Sequence, residues 1–376
     1  MHTTDRRHLL RYLASLAAAS AAGSRLYETA AAAPANVTGM RISRYEIYRT
    51  QVPWAERVRE MAILNWRREN MDVPHSPHTV VKLHTDEGLV GFGEGGNEAT
   101  LKSMVGHSPW EYVFDDSIGG AQTAIYDLLG KATGLPACHV LSATPKKRII
   151  QAYWSLSYPP DMLAKEAQLA ASLGYRVHKV KIRPWEDPVA QAQALFSVVP
   201  RDYRVWGDAN HFWGSVGRTL YYAKKLAEFP GYFGLESPLR STEGYRQLKG
   251  QVPLRLAEHW GLVDPMLAAR EGVLDAWISA CPTFGPTMFR QSAFAQFYNI
   301  PLWDESSCWS GIGLAIQAQQ AAAYPGIEYT INAAVTAEDD LVKEPFVMKD
   351  GFYDIPQQPG LGVTLDEDAV DKYQVR

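Results

Sequence analysis

Four short apolar segments, each ending on a charged residue, constrain this chain more than any other feature. The charged residues are Lys181, Asp208, Glu236 and Glu258, and they lie 27, 28 and 22 residues apart. Each interval accommodates one helix, one strand and two loops, which is the repeat of a parallel βα barrel. Because parallel barrel strands end at one face, we expect these groups to converge there together with Lys179.

The residue types in this predicted cluster indicate metal-assisted proton transfer. Three carboxylates around one point repel each other unless a cation lies among them, and hard oxygen ligands favour Mg²⁺ over zinc or copper. A lysine beside the metal is disfavoured in its charged form and can act as a base near neutral pH. A base with a divalent metal can remove the proton α to a carboxylate, because the metal stabilises the resulting enediolate.

These residues resemble those of the enolase superfamily, in its mandelate racemase/muconate lactonizing enzyme branch. The matching residues are Lys179 and Lys181 in Lys-Val-Lys, Asp208 in Gly-Asp-Ala-Asn, Glu236 in Glu-Ser-Pro, and Glu258. The resemblance covers residues 40–376. It implies an α/β fold, a modified TIM barrel (β/α)7β with an α+β N-terminal capping domain. It also implies one Mg²⁺ held by the three carboxylates, with both lysines catalytic.

The same resemblance divides the chain into four parts. Residues 40–145 are expected to form the capping domain, with a hairpin turn at residues 86–88. Residues 146–340 are expected to form the catalytic barrel, which begins with a strand near Ile149. Residues 341–376 are expected to return to the cap, since the Pro-Gly-Leu-Gly run at 359–362 matches the end of the family.

Residues 1–39 are expected to be an export signal and linker. Arg6 and Arg7 precede an Ala-rich apolar stretch, and small residues follow at 30–35, a composition typical of a twin-arginine signal. The apolar stretch is too short and too weakly apolar to span a membrane. We therefore expect a periplasmic or exported protein that contacts no membrane after signal removal. If the N-terminus is not a signal, the expected location is cytoplasmic.

Net charge and cysteine content exclude some kinds of partner and some kinds of site. The formal net charge of −4 gives no reason to expect nucleic acid as a partner. Cys138, Cys281 and Cys308 are too few and too scattered for a disulfide framework or a thiolate metal site. The expected partner is a small carboxylate or sugar acid, and the resemblance implies a homo-oligomer.

The substrate contacts are predicted mainly from position. In the resembled family, the loop that corresponds to residues 52–77 closes over the barrel mouth, so Trp66 and Arg67 are predicted to contact the substrate. The alternative is a solvated helix face with surface arginines. Asn210 and His259 follow predicted metal ligands, and Trp303 lies on the predicted seventh strand. These three are also predicted to contact the substrate.

Departures from the family pattern favour one reaction. Racemases of this branch carry an Asp–His pair on strands six and seven, where this chain has Ala280 and Glu305. No familiar base then stands opposite Lys181, whereas elimination can proceed from one face. We therefore expect dehydration of a sugar acid to a 2-keto-3-deoxy acid, with Glu305 or His211 as a further catalytic group. A racemase, epimerase or cycloisomerase is the alternative, and a degenerate carboxylate-binding barrel is the second.

Overall fold

The computed structural model describes residues 37–375 and has an antiparallel sheet beside a parallel barrel. The sheet consists of β1 (Ile42–Pro53), β2 (His75–Thr85) and β3 (Val90–Glu94). Strands β2 and β3 form the predicted hairpin, and Gly88 at its turn has φ +79°, a conformation that glycine adopts without steric cost. The predicted export signal lies almost wholly outside the described residues.

Helices complete the capping domain. They are α1 (Arg59–Arg68), α2 (Glu98–Met104) and α3 (Gln122–Thr133), with 3-10 turns at Pro109–Tyr112, Asp116–Ala121 and Ala137–Val140. Helix α3 packs so closely on β3 that a Cβ at Gly91 or Gly93 would meet the α3 backbone. The segment between β1 and β2, expected as a loop, contains α1.

Eight parallel strands form the barrel. They are β4 (Arg148–Ser155), β5 (Val177–Lys181), β6 (Arg204–Asp208), β7 (Tyr232–Glu236), β8 (Arg255–His259), β9 (Ala276–Ser279), β10 (Leu302–Asp304) and β11 (Ile327–Asn332). Each pairs with the next, and β11 pairs with β4 to close the barrel. The sequence predicts the seventh strand at residues 300–303, whereas β10 begins at Leu302, because Pro301 has no N–H for a ladder hydrogen bond.

Seven helices connect these strands. They are α4 (Pro160–Ser172), α5 (Pro188–Phe196), α6 (Val216–Leu226), α7 (Thr242–Leu248), α8 (Pro265–Glu271), α9 (Pro286–Tyr298) and α10 (Gly311–Ala323). A 3-10 turn at Ala334–Thr336, not an α-helix, follows β11. The expected (β/α)7β barrel with an α+β cap is therefore confirmed.

The C-terminal segment first contacts the barrel and then the cap. The hairpin of β12 (Met348–Lys349) and β13 (Phe352–Asp354) adds antiparallel to the start of β4. The chain then passes the cap, where the Leu361 amide donates to the buried carboxylate of Asp127 on α3. Helix α11 (Glu367–Tyr373) ends beside β1. Within residues 37–375, no helix combines the length and apolarity needed to cross a membrane.

Candidate active site

The ammonium group of Lys179 lies among three carboxylates at the C-terminal end of the barrel. Its Nζ is 2.8 Å from Glu236 Oε1 and 3.3 Å from Asp208 Oδ2, and it also donates to Glu305. The four residues come from β5, β6, β7 and the residue after β10, so shared strand polarity brings them together. The side chain of Lys179 is fully buried, as are those of Asp208 and Glu236.

Lys181 lies nearer the barrel mouth, on the same face of β5 because strand side chains alternate. Its Nζ donates to Asp208 Oδ2 and lies 5.9 Å from the centre of the Trp154 ring. The side chain is 8% exposed. An amine in this position can meet a substrate that enters the mouth.

The cluster distributes its charge unevenly. Burial raises the pKa of Glu236 well above its usual value, and the charges of Asp208 and Glu305 raise it further. Burial alone would raise the pKa of Glu305, but the nearby lysines outweigh it and lower the pKa to about 2. The lysines likewise hold the pKa of Asp208 far below its usual range against the effect of burial.

Lys179 remains charged despite its burial. Desolvation alone would lower its pKa, but the charges of Glu236, Glu305 and Asp208 raise it above the usual lysine value. The geometry assigns Lys179 to charge balance at the centre of the cluster. Lys181, which is nearer the mouth, is better placed to exchange a proton with substrate.

Glu258 does not share this centre. Its Oε1 accepts from the Ser237 hydroxyl and the His259 amide, both at 2.7 Å. Its Oε2 accepts from the Tyr245 hydroxyl at 2.7 Å and pairs with His211 Nε2 at 3.0 Å. The ion pairs of the described residues include none between Glu258 and either lysine. Four hydrogen bonds therefore hold the predicted third metal ligand, and the predicted catalytic His211 is one of its partners.

A different trio of potential metal ligands comes together. One donor atom from each of Glu236, His259 and Glu305 lies within 4.8 Å of the other two. The His259 side chain is 30% exposed and that of Glu305 is 17% exposed, so this edge of the cluster faces the mouth. These three donors are of types that a divalent cation accepts, and the predicted metal ligands Asp208, Glu236 and Glu258 stay a prediction.

Asn210 supports Asp208 and links it to the cap. The Asn210 amide donates to Asp208 Oδ1 at 2.7 Å, and its side-chain oxygen accepts from Arg183. Arg183 Nε also donates to Glu69 at 2.8 Å, one residue beyond α1. Asn210 and His211 both adopt positive φ, at 41° and 65°, and such conformations persist only where surrounding structure holds them. The predicted substrate contact Asn210 is thus engaged within the protein.

The remaining predicted substrate contacts have different positions. Trp66 packs on Trp309 with ring centres 6.0 Å apart, and Trp309 packs on Trp154 at 4.9 Å, so Trp66 belongs to the aromatic wall of the mouth. Arg67 does not reach the site: its side chain is 68% exposed and its nearest acidic partner is Asp72 at 3.8 Å. The solvated helix face, the alternative interpretation, describes Arg67 correctly.

Trp303 lies too deep in the barrel to contact a substrate at the mouth. Its indole N–H donates to Glu328 at 3.0 Å, and the Arg255 guanidinium lies 5.1 Å from the ring centre. Glu328 and Arg255 stand at the starts of β11 and β8, which places the Trp303 ring toward the opposite end of the barrel. The three-residue strand β10 directs this side chain into the interior packing.

Sequence reasoning missed three residues that shape the site. Trp206 donates its indole N–H to Glu236 at 3.0 Å, and Arg183 contacts the Asp208 carbonyl at 3.4 Å. Both lie two residues from a predicted site residue on the same strand or its extension, so strand periodicity could have indicated them. Tyr245, on α7, carried no comparable signal.

A cleft of about 380 Å³ borders the cluster on the His259 side. Its lining includes Asp116 and Gly119 from the cap, Ala280 and Thr283 beyond β9, and His259. The cap and the barrel thus share one cleft at the C-terminal face, where barrel enzymes place their active sites.

Comparison with known families shows which family the chain belongs to. The model of the family described as "Enolase C-terminal domain-like" matches residues 162–369, more than half of the chain. The chain belongs to this family. Its membership of the enolase superfamily, in the mandelate racemase/muconate lactonizing enzyme branch, confirms the resemblance seen in the sequence.

The relatives of this superfamily member are enzymes of several kinds. It is 28% identical to the o-succinylbenzoate synthase of Enterococcus faecalis over 266 residues, which cover 67% of this chain and 70% of that protein. It is 24% identical to the arabinonate dehydratase of Saccharolobus solfataricus, over 78% of this chain and 90% of that one. These names span more than one reaction class, so the comparisons show the superfamily of this chain but not its reaction.

Solved structures show the same fold. The N-succinyl Arg/Lys racemase from Bacillus cereus matches with a TM-score of 0.73 and 18% identity, over 89% of this chain and 98% of that one. A putative mandelate racemase from Bordetella bronchiseptica matches with a TM-score of 0.72 and 21% identity, over 90% and 99%. Enzymes of the superfamily generally bind Mg²⁺, and the present site offers a carboxylate and histidine set for a divalent cation.

Proposed function

We propose that this protein removes the proton α to the carboxylate of a small organic acid, and that its reaction is dehydration of a sugar acid. The observation that supports this most directly is the position of the Lys181 amine. It contacts Asp208, faces the mouth and lies at the edge of a cluster suited to a divalent cation. Among the described residues at the ends of β9 and β10, Ala280 offers no acid or base, and Glu305 is bound to Lys179.

The proposed reaction needs an acid–base group on only one face of the substrate, and Lys181 supplies it. The neutral amine of Lys181 takes the proton from C2, and the C2–H electron pair forms the enediolate. The resulting ammonium then donates that proton to the hydroxyl at C3, the C3–O bond breaks and water leaves. The remaining enol becomes a 2-keto-3-deoxy acid. Lys179 contributes positive charge beside the reacting carboxylate, and a bound divalent cation would add further stabilisation of negative charge there.

The names of several relatives support a sugar acid as substrate. Besides the arabinonate dehydratase, the chain is 22% identical to a D-gluconate dehydratase from Thermoproteus tenax and 26% identical to a D-xylonate dehydratase from Haloferax volcanii.

A racemase or epimerase is the second candidate. The chain is 22% identical to an N-succinyl-L-Arg/Lys racemase from Bacillus cereus over 80% of its length. Such a reaction requires an acid–base group on each face of the reacting carbon. His259 borders the cleft and is the described residue best placed to supply the second group.

Incubation with a panel of sugar acids in D₂O, with Mg²⁺ or Mn²⁺, tests the proposal. We expect a 2-keto product from at least one acid, and Lys181→Met lowers its rate by about 10²–10⁴-fold, the usual contribution of a general base. Lys224→Met, at an exposed lysine of α6, is the matched control and keeps the wild-type rate. Deuterium at C2 without water loss would favour the epimerase. Neither product with any acid would favour a carboxylate-binding barrel.

A further inference from the structure

We propose that this chain has a second ligand site, at the N-terminal end of the barrel, which binds a small carboxylic acid with an apolar body. The site is a cavity of about 270 Å³, here called the basal cavity, whose lining includes Lys146, Ile150, Ile327, Thr330 and Phe352. These residues lie at or near the starts of β4, β11 and β13. The proposed active site lies at the opposite end of the same barrel, so the second site does not depend on the proposed reaction.

The pairing of β11 with β4 explains why there is space at this end. These two strands close the barrel, and the first pair of their ladder is Tyr329 with Ile150. In the described register, the residues that precede this pair on one strand have no partner on the other. The start of β4 pairs with β13 instead. The basal cavity therefore lies where the closing strands have not yet come together.

The amine of Lys146 supplies positive charge to the basal cavity. Its Nζ donates to the carbonyl oxygens of Ile327 at 2.7 Å and Pro325 at 3.3 Å. An ammonium group has three N–H donors, so these two bonds leave one for a ligand. The ion pairs of the described residues include none with Lys146, and burial lowers the pKa of its amine to about 8. A partly buried cation without an acidic partner is stabilised by a bound anion.

The other charged groups beside the cavity already have partners or are exposed. Glu328 accepts from the Arg255 guanidinium at 2.9 and 3.1 Å, so the charge of its carboxylate is offset. Arg148 lies over the Phe352 ring, with its Cζ 5.3 Å from the ring centre, and 3.5 Å from Asp354. Both side chains of that ion pair are more than half exposed, so solvent weakens it. The environment of the cavity is therefore positive.

A buried hydroxyl lies beside the same cavity. Thr330 is fully buried, and its hydroxyl has no hydrogen-bond partner among the described residues. A buried donor without an acceptor is unfavourable, so a ligand that brings an oxygen atom to this hydroxyl gains binding free energy. Lys146 and Thr330 thus both favour a ligand with an anionic oxygen group.

The remaining wall of the cavity determines the body of the ligand. Ile150, Ile327 and Phe352 contribute apolar surface. An apolar cavity of about 150 Å³ is large enough for a benzene ring, so about 270 Å³ accommodates a ring together with a carboxylate. An aromatic or branched aliphatic monocarboxylate therefore matches the charge, the hydroxyl and the wall.

Fluorine NMR of the full chain with para-fluorobenzoate tests the inference. We expect line broadening of the ligand signal and a dissociation constant of about 1 mM, as is usual for a ligand of this size. Para-fluorobenzyl alcohol keeps the ring but lacks the charge, and fluoroacetate keeps the charge but lacks the ring. Each should bind about tenfold more weakly or less, because each loses one of the two contacts.

Four variants assign the binding to the basal cavity. Lys146→Met should weaken para-fluorobenzoate binding about tenfold, whereas Lys147→Met, at the exposed lysine next to it, keeps the wild-type affinity. Lys181→Met, at the opposite end of the barrel, should also keep it. Thr330→Val removes the unpaired hydroxyl, so it should raise the midpoint of thermal unfolding of the ligand-free chain and yet weaken binding about threefold. That variant measures the contact in a protein that is certain to be folded.

Three results would overturn the inference. The first is a wild-type chain that does not bind para-fluorobenzoate, and the second is equal binding by Lys146→Met and Lys147→Met. The third is loss of binding in Lys181→Met with retention in Lys146→Met, which would place the acid in the active site instead.

Discussion

At the scale of single residues, two neighbours at the end of β8 have different tasks. Glu258 is held by Ser237, Tyr245 and His211, whereas His259 stands beside Glu236 and Glu305. Regular alternation along a strand would turn one of the two away from the barrel end. The His259 amide donates to Glu258 Oε1, so the glutamate side chain folds back on the backbone where strand pairing ends. Both side chains can then lie near the site.

A buried histidine on the opposite face of β5 gives a prediction about pH. His178 is fully buried between Ser155 and Tyr203, and burial lowers its pKa to about 3. This value lies below that of an unfolded histidine, about 6.5, so the unfolded chain binds more protons as the pH falls. The contribution of His178 to stability is complete above about pH 6.5 and decreases between 6.5 and 3.

We expect the free energy of unfolding to fall by about 2 kcal/mol between pH 7 and pH 5 through His178 alone. Urea unfolding of wild type and His178→Gln at both pH values measures this difference, since other titrating groups affect both proteins. His107→Gln, at a half-exposed histidine of the cap, is the control and keeps the wild-type dependence. An unchanged pH dependence in His178→Gln would show that another group is responsible.

At the scale of elements, α1 joins the cap to the barrel mouth. Arg183, at the end of β5, forms a buried ion pair with Glu69 after α1, and the side chains are 2% and 13% exposed. Trp185 donates to Asn65 on the same helix at 3.2 Å. On its other side, Trp66 contacts Trp309. The same Arg183 contacts Asn210, so the position of α1 is linked to the support of Asp208.

We expect Glu69→Ala to loosen α1, because it leaves the buried guanidinium of Arg183 without its carboxylate. Loss of one partner of a buried pair typically costs about 3–5 kcal/mol. Hydrogen exchange of residues 59–73 should therefore accelerate at least tenfold, with little change in β6 or β7. Arg67→Ala removes an exposed arginine of the same helix and should leave exchange at the wild-type rate. Equal exchange in both variants would show that Glu69 does not hold the helix.

At the scale of the whole molecule, the cap and the C-terminal segment meet around the buried Asp127 of α3. Its carboxylate accepts from the Phe92 amide of the cap sheet and from the Leu361 amide of the C-terminal segment. Residues that are distant in the sequence must therefore come together before the cap and the C-terminal segment are fully formed. A protein assembled in this way suits export in the folded state, which is what the predicted twin-arginine signal in the N-terminal segment would direct. Association of the chain into a homo-oligomer also stays a prediction.

We expect the full chain, expressed in a bacterium with a twin-arginine translocase, to appear in the periplasmic fraction. Joint substitution Arg6→Lys and Arg7→Lys should retain it in the cytoplasm, since the paired arginines carry the predicted signal. Arg11→Lys is the matched control and should be exported as wild type. Immunoblots of the cell fractions give the measurement. Export of the double variant, or cytoplasmic retention of the wild type, would contradict the prediction.

Sequence spacing was sufficient for the parallel barrel and for most of the central cluster, whereas the capping domain was predicted from the resemblance to the superfamily. The spacing of the four charged strand ends placed Lys179, Lys181, Asp208 and Glu236 together, because strand polarity and alternation follow from local sequence. The same reasoning failed for Trp303, which enters the interior packing, and for Arg67, whose helix turns it to solvent. Neither depth in a barrel nor the direction of a helix face is encoded in the spacing of one segment.

The sequence by itself determined which strands carry the acids and lysines, and that these strands end on one face. Only the tertiary structure decided that Glu258 accepts hydrogen bonds from Ser237 and Tyr245, whereas the His259 side chain lies near those of Glu236 and Glu305. The physical reason is that side chains at strand ends are no longer fixed by ladder pairing. Their directions depend on hydrogen-bond partners from other strands and helices, which meet only when the barrel is closed.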